Sequence, residues 1–543
     1  MAVMTGGEAI VRTLAREGAR VVFGLPGVQL YGVIAALRDE PELRFITCRH
    51  EGATSFMADG YARAGGGVGV ALVVPGPGLL NAASGLNTAY SASSPVLVIA
   101  GEIPRHQIDK HIGVLHELDN QLDAMAGVSK WRASIRQVAD APRVVHEAFG
   151  QLRSGRPRPV IVDMPWDVME EEAPVELVAA GHAPRPAAPA TEVDRAADLL
   201  LAARRPVIYA GGGVHLSGAH EPLAAVAEYL QAGVATTAEG KGAVSDGSDL
   251  SLGAGLWPKS PLRAYLDAAD LVLAVGSRLA LAAFQPTQQV IQIDADAGEI
   301  GRNHAKTVGL VGDARATLER LLERLRTAGA PRSTHKAERD TLRAEVASYM
   351  TQEPNTSIVK SLRAGTPEDA IVIAGMTQIG YYSRPFWPVY RPRTYLTSSY
   401  SGNLGFEYPT ALGAKVACPR QPVIAICGDG GFLYNGQEMS TAVQQQINVV
   451  AVVFNDNALG NVGRDLDEHW GGKFASDLHN PNFVRLAEAY GVVGRRAKEP
   501  TDVGRLVADA VQMDRPVLIE VPVSRMARPV FFGPLKTLPR YRR

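Results

Sequence analysis

Short apolar runs alternate with amphipathic stretches along most of the chain: VVFGL (21–25), LYGVIAAL (30–37), LRFIT (43–47), then the segment from His50 to Arg63. Short continuous apolar runs suit strands buried on both faces, and the stretches between them repeat their apolar positions at the helical period. The alternation predicts parallel sheets covered by helices, an α/β fold of doubly wound parallel-sheet domains.

Two interruptions divide the pattern. A Pro/Ala-rich stretch, GHAPRPAAPAT (Gly181 to Thr191), reads as a linker, so that residues 1–175 form a first unit. In a second unit, 190–330, the strand RPVIYA runs into Gly211-Gly212-Gly213, and the strands LVLAVG and VIQIDAD follow. A glycine turn after a strand lets backbone amides approach a phosphate. This one lacks the full G-x-G-x-x-G spacing and a ribose-reading acid, and reads equally as a tight strand-to-helix turn. The charged stretch HKAERDTLRAEVASYM reads as a solvated helical connector to a third unit, 355–543. No short repeat is visible.

The length, 543 residues, fits three domains of roughly 150 residues each. With 46% hydrophobic and 20% charged residues the chain is neither disordered nor fibrous. Lys plus Arg number 55 against 56 Asp plus Glu, so no excess of charge recruits nucleic acid or an acidic membrane, and the expected partner is a small molecule. Cys48, Cys418 and Cys427 have no paired metal-ligand spacing, which excludes a disulfide framework and a cysteine zinc site. The N-terminus lacks a basic flank followed by an apolar core, and no apolar run approaches the roughly 20 residues of a membrane span. A cytoplasmic protein is expected.

Chemistry concentrates in the third unit, in QPVIAICGDGGFLYNGQEMSTAVQQQINVVAVVFNDNALGN. A strand ending at Cys427 runs into Gly428-Asp429-Gly430-Gly431, whose small residues admit a diphosphate close to the backbone. A helix and a second buried strand lead to Asn455-Asp456-Asn457. Two parallel strands joined by a helix bring Asp429 and the Asn/Asp cluster to one sheet edge, where α/β folds bind ligands. Hard oxygen ligands meeting a diphosphate suit Mg²⁺. Either fragment alone also reads as a plain turn or loop.

Together they resemble the thiamin diphosphate signature of the acetolactate synthase superfamily. Arg49-His50-Glu51-Gly52-Ala53 is similar to the family segment that supplies its catalytic glutamate, with Ala53, Phe56, Met57 and Tyr61 on one helical face. VVPGPGLLNAASGLNTAY, SPVLVIAGEIP, TTAEGKG, SGNLGFEYPTALGAKVA and NPNFVRLAEAYGV extend the likeness over nearly the whole chain. The resemblance implies three domains, pyrimidine-binding, central Rossmann-like and diphosphate-binding. It implies that Glu51 serves a cofactor held mainly by a neighbouring subunit, hence a homodimer at least and, by the same likeness, a homotetramer. It gives cofactor contacts to Gly402, Leu404, Gly428, Asp429, Gly430, Gly431, Asn457 and Gln378, and the metal to Asp429, Asp456 and Ala458. The family has Asn where this chain has Asp456, which adds a negative charge facing the diphosphate. Whether FAD is also bound stays open.

Several family positions are altered. The acceptor arginine after G-x-R-F is Ala282, the lysine of L-P-K-D is Trp166, and Phe-Gln-Glu appears as Leu115-His116-Glu117. The pocket-lining Met and Trp are Asn461 and Asp465, and the flavin contact Gly-Met-His-Gly is replaced within Gly253-Ala254-Gly255-Leu256-Trp257. Gln29 stands where benzaldehyde lyase-like members carry a histidine. With His116 it is a candidate for handling the substrate's protons, and His469 is a further candidate from a loop. The expected activity is a 2-oxo acid decarboxylase/carboligase of the acetolactate synthase-like group. The alternatives are a lyase forming or cleaving 2-hydroxy ketones, and a non-catalytic cofactor-binding subunit. A nucleotide-dependent dehydrogenase, suggested by Gly211–Gly213 alone, ranks last.

Overall fold

The computed structural model describes residues 2–181, 184–255, 259–280, 282–329, 332, 334–530 and 532. His182 and Ala183 of the linker, Leu256 and Trp257 of the altered flavin segment, and residues 533–543 of the third unit lie outside the described residues. Three six-stranded sheets, each parallel throughout, succeed one another along the chain. The first runs in the order Arg44–Thr47, Val21–Gly24, Gly69–Val73, Val96–Glu102, Val160–Pro165, Trp131–Ser134. The second runs Ser251–Ala254, Val234–Thr236, Pro206–Ala210, Leu271–Val275, Gln289–Asp294, Thr307–Val311. The third runs Tyr395–Leu396, Ile371–Ala374, Val423–Gly428, Val450–Asn455, Val517–Pro522, Val493–Arg496. Central strands such as Val160–Pro165 are buried along their length, as parallel strands covered by helices on both faces must be.

A small antiparallel pair, Ala2–Thr5 with Glu172–Val175, has no counterpart in the sequence reading; it ties the two ends of the first unit together. The helix Lys336–Met350 is only partly the solvated connector its charges suggest. Arg339 is fully buried and donates from Nε to the Asp249 carbonyl at 2.9 Å, and Arg343 donates from Nε to the Ser251 carbonyl at 2.7 Å. A guanidinium tolerates such burial because backbone oxygens replace the water it loses.

One helix crossing joins the first and third units. The helix Glu51–Tyr61 is buried on every side from Gly52 to Tyr61, not on one face alone, and it packs on the helix Glu407–Ala417. A Cβ at Gly60 would lie 2.0 Å from the Thr410 carbonyl oxygen, and one at Gly413 would lie 1.9 Å from that of Met57. Only residues without a side chain let the two backbones approach so closely.

Candidate active site

In the third sheet the sequence order reverses between Ile371–Ala374 and Val423–Gly428, and parallel sheets bind ligands beyond the strand C-termini at such a point. A cavity of about 170 Å³ opens there. Gln378 reaches it from the segment after Ile371–Ala374, Asp429 from the end of Val423–Gly428 and Asp456 from the end of Val450–Asn455, with Leu404, Gly428, Gly430, Gly431, Ala458 and Asn461 around them. Gly402 adopts a left-handed φ of +63° two residues before Leu404 but is not on the cavity wall. Asn457 does not line it: its amide donates to Asn455 Oδ1 at 3.1 Å, its carbonyl accepts from the Leu478 amide at 2.8 Å, and its Oδ1 accepts from Asn480 Nδ2 at 3.4 Å.

Burial raises the pKa of Asp429 against the opposing pull of the Gly430 amide and the Asn480 side chain. Asp456 is pushed up to about 6, first by burial and then by the charge of Asp429. Two carboxylates forced toward one another and away from water are a natural seat for a dication. Ala458 has no side-chain donor, so its part in any metal shell is its carbonyl oxygen. Among the described residues no cluster of three or more His, Cys, Asp or Glu could hold a metal, so carbonyl, water or diphosphate oxygens have to complete the shell. The Oε1 atom of Gln378 is buried without a partner, while its Nε2 donates to Asn461 Oδ1 at 2.5 Å, and both residues line the cavity. Glycines that leave room for a diphosphate, and two acids that can ligate its metal, therefore fit the pair.

The first sheet builds a second group at its own C-terminal edge. Glu51 heads its helix, where the helix dipole favours an anion, and accepts from Asn81 Nδ2 at 3.1 Å. The turn before it is pinned to the third unit, because Glu438 accepts the Arg49 amide at 3.1 and 3.2 Å. Gln29 lies beyond Val21–Gly24, and its Oε1 stands 3.0 Å from His116 Nδ1. Gly76 and Gly78 link the parts: a Cβ at Gly76 would sit 2.5 Å from the His116 carbonyl oxygen, and one at Gly78 would sit 3.6 Å from Glu51 Oε1. Glu51, Gln29 and His116 thus share one edge, yet no described residue of the first unit lines the 170 Å³ cavity.

The other predicted positions scatter. Ala282 is buried in the middle unit and Trp166 begins a short helix after Val160–Pro165. Asp465 pairs with Arg528 at 2.6 Å, and His469 does not line the cavity. Sequence reasoning missed Asn480, whose Nδ2 lies 2.6 Å from Asp429 Oδ2 and 3.0 Å from Asn455 Oδ1. It sits in the NPNFVRLAEAYGV segment, but nothing in that segment says which way the side chain points. Also missed were Glu520, which accepts from Asn455 Nδ2 at 2.8 Å, and Glu407.

Glu407 is buried beneath the cradle, accepting the Met376 amide at 3.1 Å, and burial pushes its pKa up to about 7 from an ordinary 4.5. Between those values the folded chain keeps a proton that the unfolded chain has released. Stability therefore falls as the pH rises through that window and stays lowered above it. Glu407→Gln, neutral at every pH, is expected to melt several degrees above wild type near pH 8 and close to it near pH 4.5. Calorimetry of the cofactor-free protein checks this, and an equal gain at both pH values would refute it.

A second cavity, about 470 Å³, opens at the order reversal of the middle sheet, bordered by Gly211, Gly213, Gly276, Asp294 and Arg278. Gly211 and Gly213 also pack directly on the backbone of Gly276, so the tight-turn reading of this glycine run holds alongside any ligand role.

Three α/β units, with a glycine- and acid-lined cavity at the switch point of one and a carboxylate-led helix on another, suit a cofactor-dependent enzyme. Comparison with known proteins gives the family. Residues 4–126, 193–321 and 375–521 match the N-terminal TPP binding, central and C-terminal TPP binding domains of thiamine pyrophosphate enzymes. The chain belongs to that family and is an acetolactate synthase-like, thiamin diphosphate-dependent enzyme. It is 32% identical to the acetolactate synthase isozyme 3 large subunit of Escherichia coli, over 96% of both chains. Identity is 33% to the "Probable acetolactate synthase large subunit" of Methanocaldococcus jannaschii, over 96% of this chain and 92% of that one. It is 36% to a "Probable 2-ketoarginine decarboxylase" of Pseudomonas aeruginosa, over 93% and 91%. Among the described residues no helix is long and apolar enough to cross a membrane.

Proposed function

We propose that this enzyme is a Mg²⁺-dependent 2-oxo acid decarboxylase and carboligase of the cytoplasm, with an acceptor site unlike that of the acetolactate synthases. The convergence of Asp429 and Asp456 at the ends of adjacent strands, beside Gln378 and Leu404, carries the reading. Asp429, Asp456 and the Ala458 carbonyl would hold the metal, and Gly428, Gly430 and Gly431, with no side chains, would leave room for the diphosphate. When bound, thiamin diphosphate supplies a carbon nucleophile and an electron sink for the bond that releases CO2. Leu404 supports the reactive ring, and Glu51 holds the proton that sets the cofactor's tautomer. Because the cavity draws on no described residue of the first unit, Glu51, Gln29 and His116 reach the cradle of a second copy, so that the working form is a homodimer at least and a homotetramer by pairing of dimers.

Asn461, polar where the resemblance gives the family an apolar Met and bonded to Gln378 on the cavity wall, supports a donor or acceptor other than two pyruvates. The likeness to the 2-ketoarginine decarboxylase puts a guanidino 2-oxo acid among the donors to test. A second reading, cleavage of 2-hydroxy ketones, draws support from His116 lying against Gln29, close to where benzaldehyde lyase-like members carry a histidine.

Mass spectrometry of products distinguishes these readings, using purified protein with thiamin diphosphate, Mg²⁺ and pyruvate, branched or guanidino 2-oxo acids, with and without an aldehyde. CO2 together with an aldehyde or hydroxy ketone from a 2-oxo acid is expected. Turnover of hydroxy ketones alone would replace the first reading by the second. Bound cofactor with no turnover of either class would mean a non-catalytic subunit.

A further inference from the structure

Gln29 and His116, 87 positions apart in sequence, meet at the first sheet's edge with a polarity that fixes the ring's protonation. Gln29 is 3% exposed. Its Nε2 donates to the Leu115 carbonyl at 3.2 Å, which leaves Oε1 to face His116 Nδ1 at 3.0 Å. Turning the amide over would set two acceptor oxygens against each other at the Leu115 carbonyl, so that carbonyl dictates the orientation. An amide oxygen only accepts, so Nδ1 carries the hydrogen and Nε2 keeps a lone pair. The His116 backbone is fixed as well, at a left-handed φ of +67° that a non-glycine residue adopts at a cost. Nε2 has no partner among the described residues, and the ring is half-exposed.

The neighbouring charges are otherwise engaged. Glu117 accepts the Gly113 and Val114 amides at 2.6 and 3.0 Å, and Asp119 pairs with His111 at 2.9 Å. Glu51, across the Gly76–Gly78 turn, is held by Asn81, and Glu102, next to the Gly101 that packs on Gln29, accepts the Ile103 amide at 2.7 Å and is pushed up to about 7 by burial.

We propose that Gln29 is a positioning residue and His116 the catalytic one: the Gln29 amide holds the imidazole as its Nδ1–H tautomer and aims Nε2 at the substrate. Doubly protonated, the ring gives its Nε2 proton to the substrate's carbonyl oxygen as negative charge develops there. Neutral, it takes the proton back when the carbonyl re-forms in the product. The sequence reading gave both residues the same task; the geometry divides it. The catalytic half rests on the 2-oxo acid reading above.

The test is histidine-selective ¹⁵N labelling with long-range ¹H–¹⁵N spectra of the full-length protein, His116 being assigned against His116→Gln. The Nδ1–H form is expected in wild type. In Gln29→Leu, which cannot accept, the signal moves toward the Nε2–H form. In Gln29→Glu the added carboxylate raises the His116 titration midpoint by about one pH unit. The limb of the kcat/KM profile in the loaded enzyme should move with it, and this shift should vanish in Gln29→Glu/His116→Gln. An Nε2–H signal in wild type, or a midpoint unmoved by Gln29→Glu, overturns the proposal. The expected spectra in an enzyme that turns over no 2-oxo acid overturn the functional reading and the catalytic half, while the positioning half stands.

Discussion

Glu51→Gln is expected to lower kcat by about 10²–10⁴-fold, the span over which a positioned acid–base group contributes, while leaving cofactor affinity within a few-fold of wild type. Glutamine matches the glutamate in size and still accepts from Asn81, so the helix start and its tie through Arg49 to Glu438 should persist. What it cannot do is take a proton. Steady-state turnover on the preferred 2-oxo acid, with cofactor binding followed by calorimetry, separates the two effects. A kcat within about twofold of wild type would remove Glu51 from the proton chemistry, and the half-exposed carboxylate would be a helix N-terminal anion and nothing more.

Asp429→Ala is expected to weaken Mg²⁺-dependent cofactor retention by at least about 100-fold, since even outer-shell partners of metal ligands cost 10–100-fold. The cofactor-free variant should remain folded, because removing Asp429 relieves Asp456 of the like charge that raises its pKa. Mixing this variant with Glu51→Gln gives a sharper result. If each site joins the first unit of one protomer to the third unit of another, half of the refolded dimers are mixed. Each mixed dimer regains one intact site, so that roughly a quarter of wild-type turnover returns. Two inactive variants that stay inactive after mixing would show a site built within one chain. Cofactor binding unaffected by Asp429→Ala would instead discard the cradle.

The architecture was legible because parallel strands buried on both faces must be apolar throughout, so VIAICG and VAVVFN announce themselves and their order along the chain implies the sheets. The pair Ala2–Thr5 with Glu172–Val175 was not legible, since two four-residue edge segments carry no periodicity strong enough to pair them at that distance. At the site, motif residues that follow strands could be placed together from topology alone. Asn480 and Glu407 could not: one reaches Asp429 from a remote loop, and the other is the first residue of a helix whose remainder reads as mostly small and apolar. Gln29 and His116 were chosen separately for their chemistry. That they touch depends on the path of the loop beyond Val96–Glu102, which no short-range pattern encodes.

The crossing of the helices Glu51–Tyr61 and Glu407–Ala417 limits how this lineage can change. Asn461, on the cavity wall against Gln378, and Asp465, on the same helix and paired with Arg528, are held by side-chain contacts and can drift from one substrate to another without disturbing the frame. Gly60 and Gly413 are closed to drift, because even a methyl group would have to occupy space already filled by the opposing backbone. Change is thereby channelled to the mouth of the site, since any side chain added at the crossing beneath it has to displace a backbone.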